Sequence, residues 1–306
     1  MKRMDRDVFA NRSDVLEPET FREDGAVPEP AITVREPAHQ TAPIIVASPH
    51  SGSDYAPRFL AASRLDSRSL RKSEDCFVDE LFGFAPAVGL PLLAARFPRA
   101  YCDVNREAWE LDPAMFEDML PPHVNHASPR VAAGLGTIAR VVAFGEPIYR
   151  HKLRFAEAER RIEMCWKPYH AALVRLIART KERFGACIVL DCHSMPSTHA
   201  GLSEREPDFV LGDAHGAACG RAIVALTEVN LRGEGFIVRR NDPYAGGYVT
   251  RHYGRPREHV HVLQIEVARK LYMDEANLVP TQGFIRMQAV LTTLLQTIIT
   301  MAPHLI

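Results

Sequence analysis

The sequence predicts an α/β protein built on a mixed, largely parallel sheet covered on both faces. Three features lead there. Continuous apolar runs at residues 43–48, 186–191 and 260–267 lack the polar alternation of a half-solvated strand and read as strands buried on both sides. Segments of helical periodicity separate these runs, the pattern of strands joined by crossovers. Two runs stop at polar loops bearing histidine, and sheets of this kind bind ligands beyond the carboxyl ends of their strands.

Taken in order, residues 1–41 mix charges with Pro28, Pro30 and Pro37, a composition that favours an extended or partly ordered arm. Residues 42–306 are expected to form one domain. Its first strand, Pro43-Ile44-Ile45-Val46-Ala47-Ser48, ends at Pro49-His50-Ser51-Gly52. Residues 73–82 offer Ser73 as an N-cap with Glu74 and Asp75 in the first turn, which predicts a helix with Asp75 near its N-terminus. A strand at 90–95 follows, then Tyr101-Cys102-Asp103-Val104-Asn105-Arg106 as a strand end or loop. Residues 146–184 carry the longest helical pattern, with Pro168 marking a kink or break. The run at 186–191 is terminated by Cys192-His193-Ser194-Met195-Pro196. Residues 209–213 and 260–267 read as further strands, and a helix over about 281–300 closes the domain.

Composition narrows the function. With 306 residues, 46% of them hydrophobic, the chain can bury a large core. Lys plus Arg (37) nearly balances Asp plus Glu (38), so no global field draws nucleic acid or an anionic membrane. A charged small molecule must then be caught locally. The cysteines Cys76, Cys102, Cys165, Cys187, Cys192 and Cys219 lack paired close spacing and read as reduced thiols, which fits the cytoplasm. The first residues lack the apolar core of a signal peptide, and no later stretch reads as long and uncharged enough to span a bilayer.

Two histidines that each follow a buried strand, His50 and His193, can converge at one sheet edge and ligate a metal. A catalytic ion needs a third protein ligand and an open position; Asp75 is the candidate, Glu74 its neighbour and rival. Asp191, two residues before His193, is placed to orient a ligand. Glu266 is a carboxylate inside an apolar strand, where burial raises its pKa and suits it to shuttle a proton. Asn105 and Arg106 form a natural carboxylate clamp, because arginine presents paired donors in a fixed plane. Residues 241–254 combine Gly246-Gly247 with Thr250, Arg251 and His252, as expected of a loop that closes on a polar ligand. Ser48, Ser51 and Ser194 flank the histidines, but no Gly-x-Ser-x-Gly elbow is present.

These motifs together resemble the N-formylglutamate amidohydrolase family. The resemblance rests on Ser48-Pro49-His50-Ser51-Gly52, Asp75-Cys76-Phe77-Val78-Asp79-Glu80-Leu81-Phe82, Asp103-Val104-Asn105-Arg106, Asp191-Cys192-His193-Ser194-Met195-Pro196, residues 246–254 and Gln264-Ile265-Glu266-Val267-Ala268-Arg269. It runs from about Pro43 to the C-terminal helix. The family is similar to zinc carboxypeptidases and aspartoacylase-type deacylases, which implies a three-layer α/β/α sandwich with zinc at the strand ends. The resemblance further implies metal ligands His50, Asp75 and His193, with Glu266 as general base. Asn105 and Arg106 would clamp a substrate carboxylate, while Thr250, Arg251 and His252 complete the pocket. One departure is that zinc carboxypeptidases carry their acidic ligand three residues after the first histidine, where this chain has Ser53, with Asp54 next door. The implied reaction is hydrolysis of N-formyl-L-glutamate to formate and L-glutamate in histidine degradation. Another N-acyl amino acid or small peptide is the alternative substrate, and a non-catalytic binding protein the alternative class.

Overall fold

In the computed structural model, residues 27–142, 145–197 and 206–305 are described. A seven-stranded sheet organises them. Its strands are β1 (Ile32–Arg35), β2 (Ile44–Ser48), β3 (Leu92–Ala95), β4 (Cys187–Met195), β5 (Phe209–Gly212), β6 (Val238–Arg240) and β7 (Val260–Ala268), in the order β1-β3-β2-β4-β7-β5-β6. The central strands β3, β2, β4 and β7 run parallel. At the margins, β1 pairs antiparallel with β3, and β5 antiparallel with β7 but parallel with β6. The sheet is mixed and largely parallel.

Helices follow in chain order as α1 (Pro57–Ala62), α2 (Ser67–Arg71), α3 (Val78–Leu81), α4 (Pro129–Ala132), α5 (Phe155–Arg161), α6 (Lys167–Phe184), α7 (Arg221–Gly233), α8 (Tyr248–Tyr253) and α9 (Gly283–Leu305). Strands β2, β4 and β7 are buried along their whole length, so both faces of their alternation are apolar. Ile44, Val46, Ile188, Leu190, Leu263 and Ile265 face a core shared with residues of α3, α7 and α9. Ile45, Ala47, Cys187, Val189 and Val262 face a second core with Tyr169, Leu173 and Leu176 of α6. Two cores on opposite faces of one sheet make the three-layer α/β/α sandwich.

Several elements differ from the sequence expectation. Strand β4 does not stop at Asp191 but continues through Met195, because its last residues keep pairing with Glu266, Val267 and Ala268 of β7. The helix expected from Ser73 begins only at Val78; Phe77, with φ 64°, turns the chain just before it. Residues 146–154 are irregular, and helix starts at Phe155. A five-residue π turn, Ile162–Trp166, precedes α6, as expected where Pro168 supplies no N–H for a regular hydrogen bond. Of the expected N-terminal arm, residues 1–26 lie outside the described residues, while Ile32–Arg35 is extended and joins the sheet edge.

Helix α9 corrects another expectation, being long and apolar enough by length and composition to cross a membrane. Its apolarity has a local explanation. Met287, Leu291, Leu294, Leu295 and Ile298 fall on one stripe and are buried in the first core.

Candidate active site

Strand alternation and register assemble the site. On β4, Asp191 and His193 share the side of Cys187 and Val189; on β7, Gln264 and Glu266 share the side of Val262. Both pairs therefore extend the second core's face toward the carboxyl ends of the strands. The β4–β7 register sets His193 beside Glu266 and Asp191 beside Gln264. His50 leaves the end of neighbouring β2. Asp75 arrives on the turn before α3, held there by its backbone N–H, which donates to the His50 carbonyl at 3.0 Å.

The result is a buried cluster of His50, Asp75 and His193, whose candidate ligand atoms lie within 4.8 Å of one another. Asp75 Oδ2 is 2.9 Å from His193 Nδ1 and 3.4 Å from His50 Nδ1. The far nitrogens are engaged elsewhere: His50 Nε2 meets Asp103 Oδ1 at 2.7 Å, and His193 Nε2 meets Asp191 Oδ2 at 3.1 Å. A carboxylate on Nε2 fixes the proton there and turns Nδ1 of each ring toward the shared centre. Asn105 supports the same arrangement. Its Oδ1 accepts from Val249 N–H at 2.8 Å, which orients its amide nitrogen toward Asp191 Oδ2 at 3.5 Å. The Asn105 amide and the His193 N–H then share Asp191 as acceptor.

This donor set fits a divalent cation. His50 Nδ1 is buried with no hydrogen-bond partner, a costly state for a polar atom unless an ion completes it, and Asp75 Oδ1, also without a hydrogen bond, lies within ion-pair distance of Arg99 and Arg269. Two imidazoles, one carboxylate and an adjacent unligated carboxylate are the components of a hydrolytic metal site. Glu74 and Asp54 are placed elsewhere: Glu74 contacts Arg71 and Cys76, and Asp54 contacts Arg96 at 2.8 Å.

The electrostatics separate the two central carboxylates. Burial opposes charge on Asp75, yet His193 and His50 hold its carboxyl well below the usual range. Burial likewise opposes charge on His193, but Asp191 and Asp75 keep it far above the ordinary histidine value. Glu266 differs, since burial dominates and pushes its carboxyl up to about 7, with His193 opposing and Asp75 adding to the rise. One acid is thus fixed as an anion while the other sits where it can take and release a proton near neutrality.

The remaining residues expected at the site fall in different places. Asn105 is buried beside His193. Arg106 donates from Nε to Leu135 O at 2.8 Å and from Nη1 to Asn105 O at 2.9 Å, and its Nη2 lies 3.7 Å from Asp103. Thr250 is fully buried, its hydroxyl 3.5 Å from Gln264 Oε1. Arg251 and His252 are exposed on α8, the first bonded to Gly246 O and the second stacked on Tyr248. The loop before α8 approaches closely: a Cβ on Gly247 would fall 2.3 Å from Asn105 Nδ2, so glycine is required there.

Sequence reasoning missed three contributors. Asp103 was read only as part of the Asn105–Arg106 motif, yet it holds His50. Arg99 donates to Asp103 Oδ2 at 2.8 Å and lies 3.8 Å from Asp75 Oδ1. Gln264 donates to Glu266 Oε1, and its position one strand period before Glu266 was a signal available in the sequence.

A family model described as N-formylglutamate amidohydrolase matches residues 42–273. A Pseudomonas aeruginosa protein named N-formylglutamate deformylase is 33% identical over 237 residues, which are 76% of this chain and 83% of that protein. A Pseudomonas putida protein of the same name is 30% identical over 237 residues, covering 76% and 82%. Among solved structures, a crystal structure of N-formylglutamate amidohydrolase from Ralstonia eutropha is 39% identical, with a TM-score of 0.83 over 90% of this chain and 98% of that one.

Proposed function

Because this chain belongs to the N-formylglutamate amidohydrolase family, we propose that it hydrolyses N-formyl-L-glutamate to formate and L-glutamate, in histidine degradation in the cytoplasm, with His50, Asp75 and His193 holding one divalent ion. The observation that carries this reading is the side-by-side placement of His193 and Glu266 on paired strands, which supports a proton-accepting role for this carboxylate beside a candidate metal ligand. The names of the relatives supply the substrate.

When bound, the ion, zinc in our reading, supplies Lewis acidity that polarises the formyl carbonyl and acidifies water. Glu266 accepts a proton from the attacking water as the new C–O bond forms. It then delivers that proton to the amide nitrogen as the C–N bond breaks, so the water oxygen leaves in formate and L-glutamate departs as the free amine. Asp103 and Asp191 keep the two imidazoles in register throughout. Arg106 and Asn105 hold a substrate carboxylate; two of the Arg106 nitrogens already bond backbone carbonyls, so Nη2 is the donor that turns to substrate. Thr250, Arg251 and His252, on α8, complete the pocket. Measuring formate, acetate and succinate release from matching N-acyl glutamates, alongside metal content, tests the proposal. Formate release from the metal-bearing protein supports it, and preferential release of another acid transfers the activity to that substrate.

A further inference from the structure

A cavity of about 480 Å³ opens between α1, residues 152–154 and α5. It shares no residue with the metal centre. Its lining carries Arg58, Lys152, Arg154, Arg160 and Arg161 against one carboxylate, Glu157. In a chain whose acids and bases nearly balance, this local excess of positive charge is not a by-product of overall basicity.

We propose that this cleft is a binding site for a small anion carrying two or more negative charges, received by Arg161 at its buried end and by Arg58 and Lys152 at its mouth. Solvated surface cations are common, but this group is built differently. Arg161 is 2% exposed and rigidly held: Nε donates to Glu157 at 2.8 Å, and Nη1 donates to Tyr101 O at 3.1 Å and to the Tyr149 hydroxyl at 2.6 Å. Its guanidinium also lies 4.1 Å from the Tyr101 ring centroid. A cation ordered in advance loses little entropy when an anion arrives.

Glu157 cannot neutralise the cleft, because Arg160 and Arg161 already share it. The pair of Arg154 with Glu117, at 3.6 Å between exposed side chains, removes little charge. Arg58 and Lys152 form no ion pair among the described residues. Guanidinium groups recognise phosphate and paired carboxylates alike, so the two classes have to be separated experimentally.

The test is calorimetric titration of the full-length protein with inorganic phosphate in one arm and succinate in the other. Saturable 1:1 binding of either probe is expected, and the arm that binds names the class. Arg58→Gln should weaken that binding about threefold to tenfold with an unchanged thermal midpoint, since Arg58 forms no ion pair among the described residues. A combined Arg58→Glu and Lys152→Glu variant should weaken it at least tenfold. The absence of saturable binding in both arms overturns the proposal. So does binding that survives both cleft variants undiminished; its loss in Asp75→Ala would then place the anion at the metal centre.

Discussion

Gln264 and Glu266 form one mechanical unit: the Gln264 amide donates to Glu266 Oε1 at 2.7 Å while its carbonyl oxygen accepts from Gly247 N–H at 2.8 Å. The side chain that aims the proposed general base also anchors the loop over the site. Gln264→Leu is therefore expected to lower kcat about 10- to 100-fold, the scale of a misplaced reacting group, without loss of bound metal. Steady-state kinetics with metal analysis would show it. An unchanged kcat would mean that Glu266 is oriented by its strand alone.

Asp103 and Asp191 contact the histidines only through Nε2, so their removal should be read at the metal. Asp103→Ala and Asp191→Ala are each expected to weaken metal affinity about 10- to 100-fold, measured by competition with a chelator. Equal affinity in all three proteins would remove the orienting role from these carboxylates.

The sequence was more informative about the central strands than about the segments that bring residues to them. Runs around Ile44, Ile188 and Leu263 were legible because burial on both faces leaves continuous apolar stretches. Glu266 was legible as a polar interruption in one such run, and Asp191 and His193 as the polar end of another. Arg99 and Asp103 were not, since they act from a segment with no period to reveal which way a side chain points. Asp75 was found for a partly different reason, as a helix-start acid. Its position instead comes from a turn, closed by Phe77 and bonded to the His50 carbonyl. β6 escaped notice because three residues, Val238–Arg240, are too few to show alternation.

His170 supplies a pH-dependent element of stability behind the site. Its Nε2 meets Val104 O and its Nδ1 meets the Tyr253 hydroxyl, both at 2.8 Å, contacts that satisfy a neutral ring. Burial pushes its pKa down to about 4 from 6.5. Between those values the unfolded chain binds a proton that the folded chain does not, so this contribution is full above pH 6.5 and declines as pH falls toward 4. The loss should approach about 3 kcal/mol. Urea unfolding at pH 8 and pH 5 should show a larger stability drop in the wild type than in His170→Gln; equal drops would assign the effect to other groups.

Leu291, fully buried on α9, ties this helix to the sheet's first core. Leu291→Ala should cost about 2–5 kcal/mol in chemical denaturation, the range for truncation of a buried leucine. A change under about 0.5 kcal/mol would indicate that α9 is not packed as described.

The central claim is that Glu266 moves the proton while His50, Asp75 and His193 hold the ion. It is tested most directly by formate release from N-formyl-L-glutamate in Glu266→Gln, normalised to bound metal. The account predicts a kcat lowered by about 10²- to 10⁴-fold at full metal occupancy. Near-normal turnover by the fully loaded variant would contradict it.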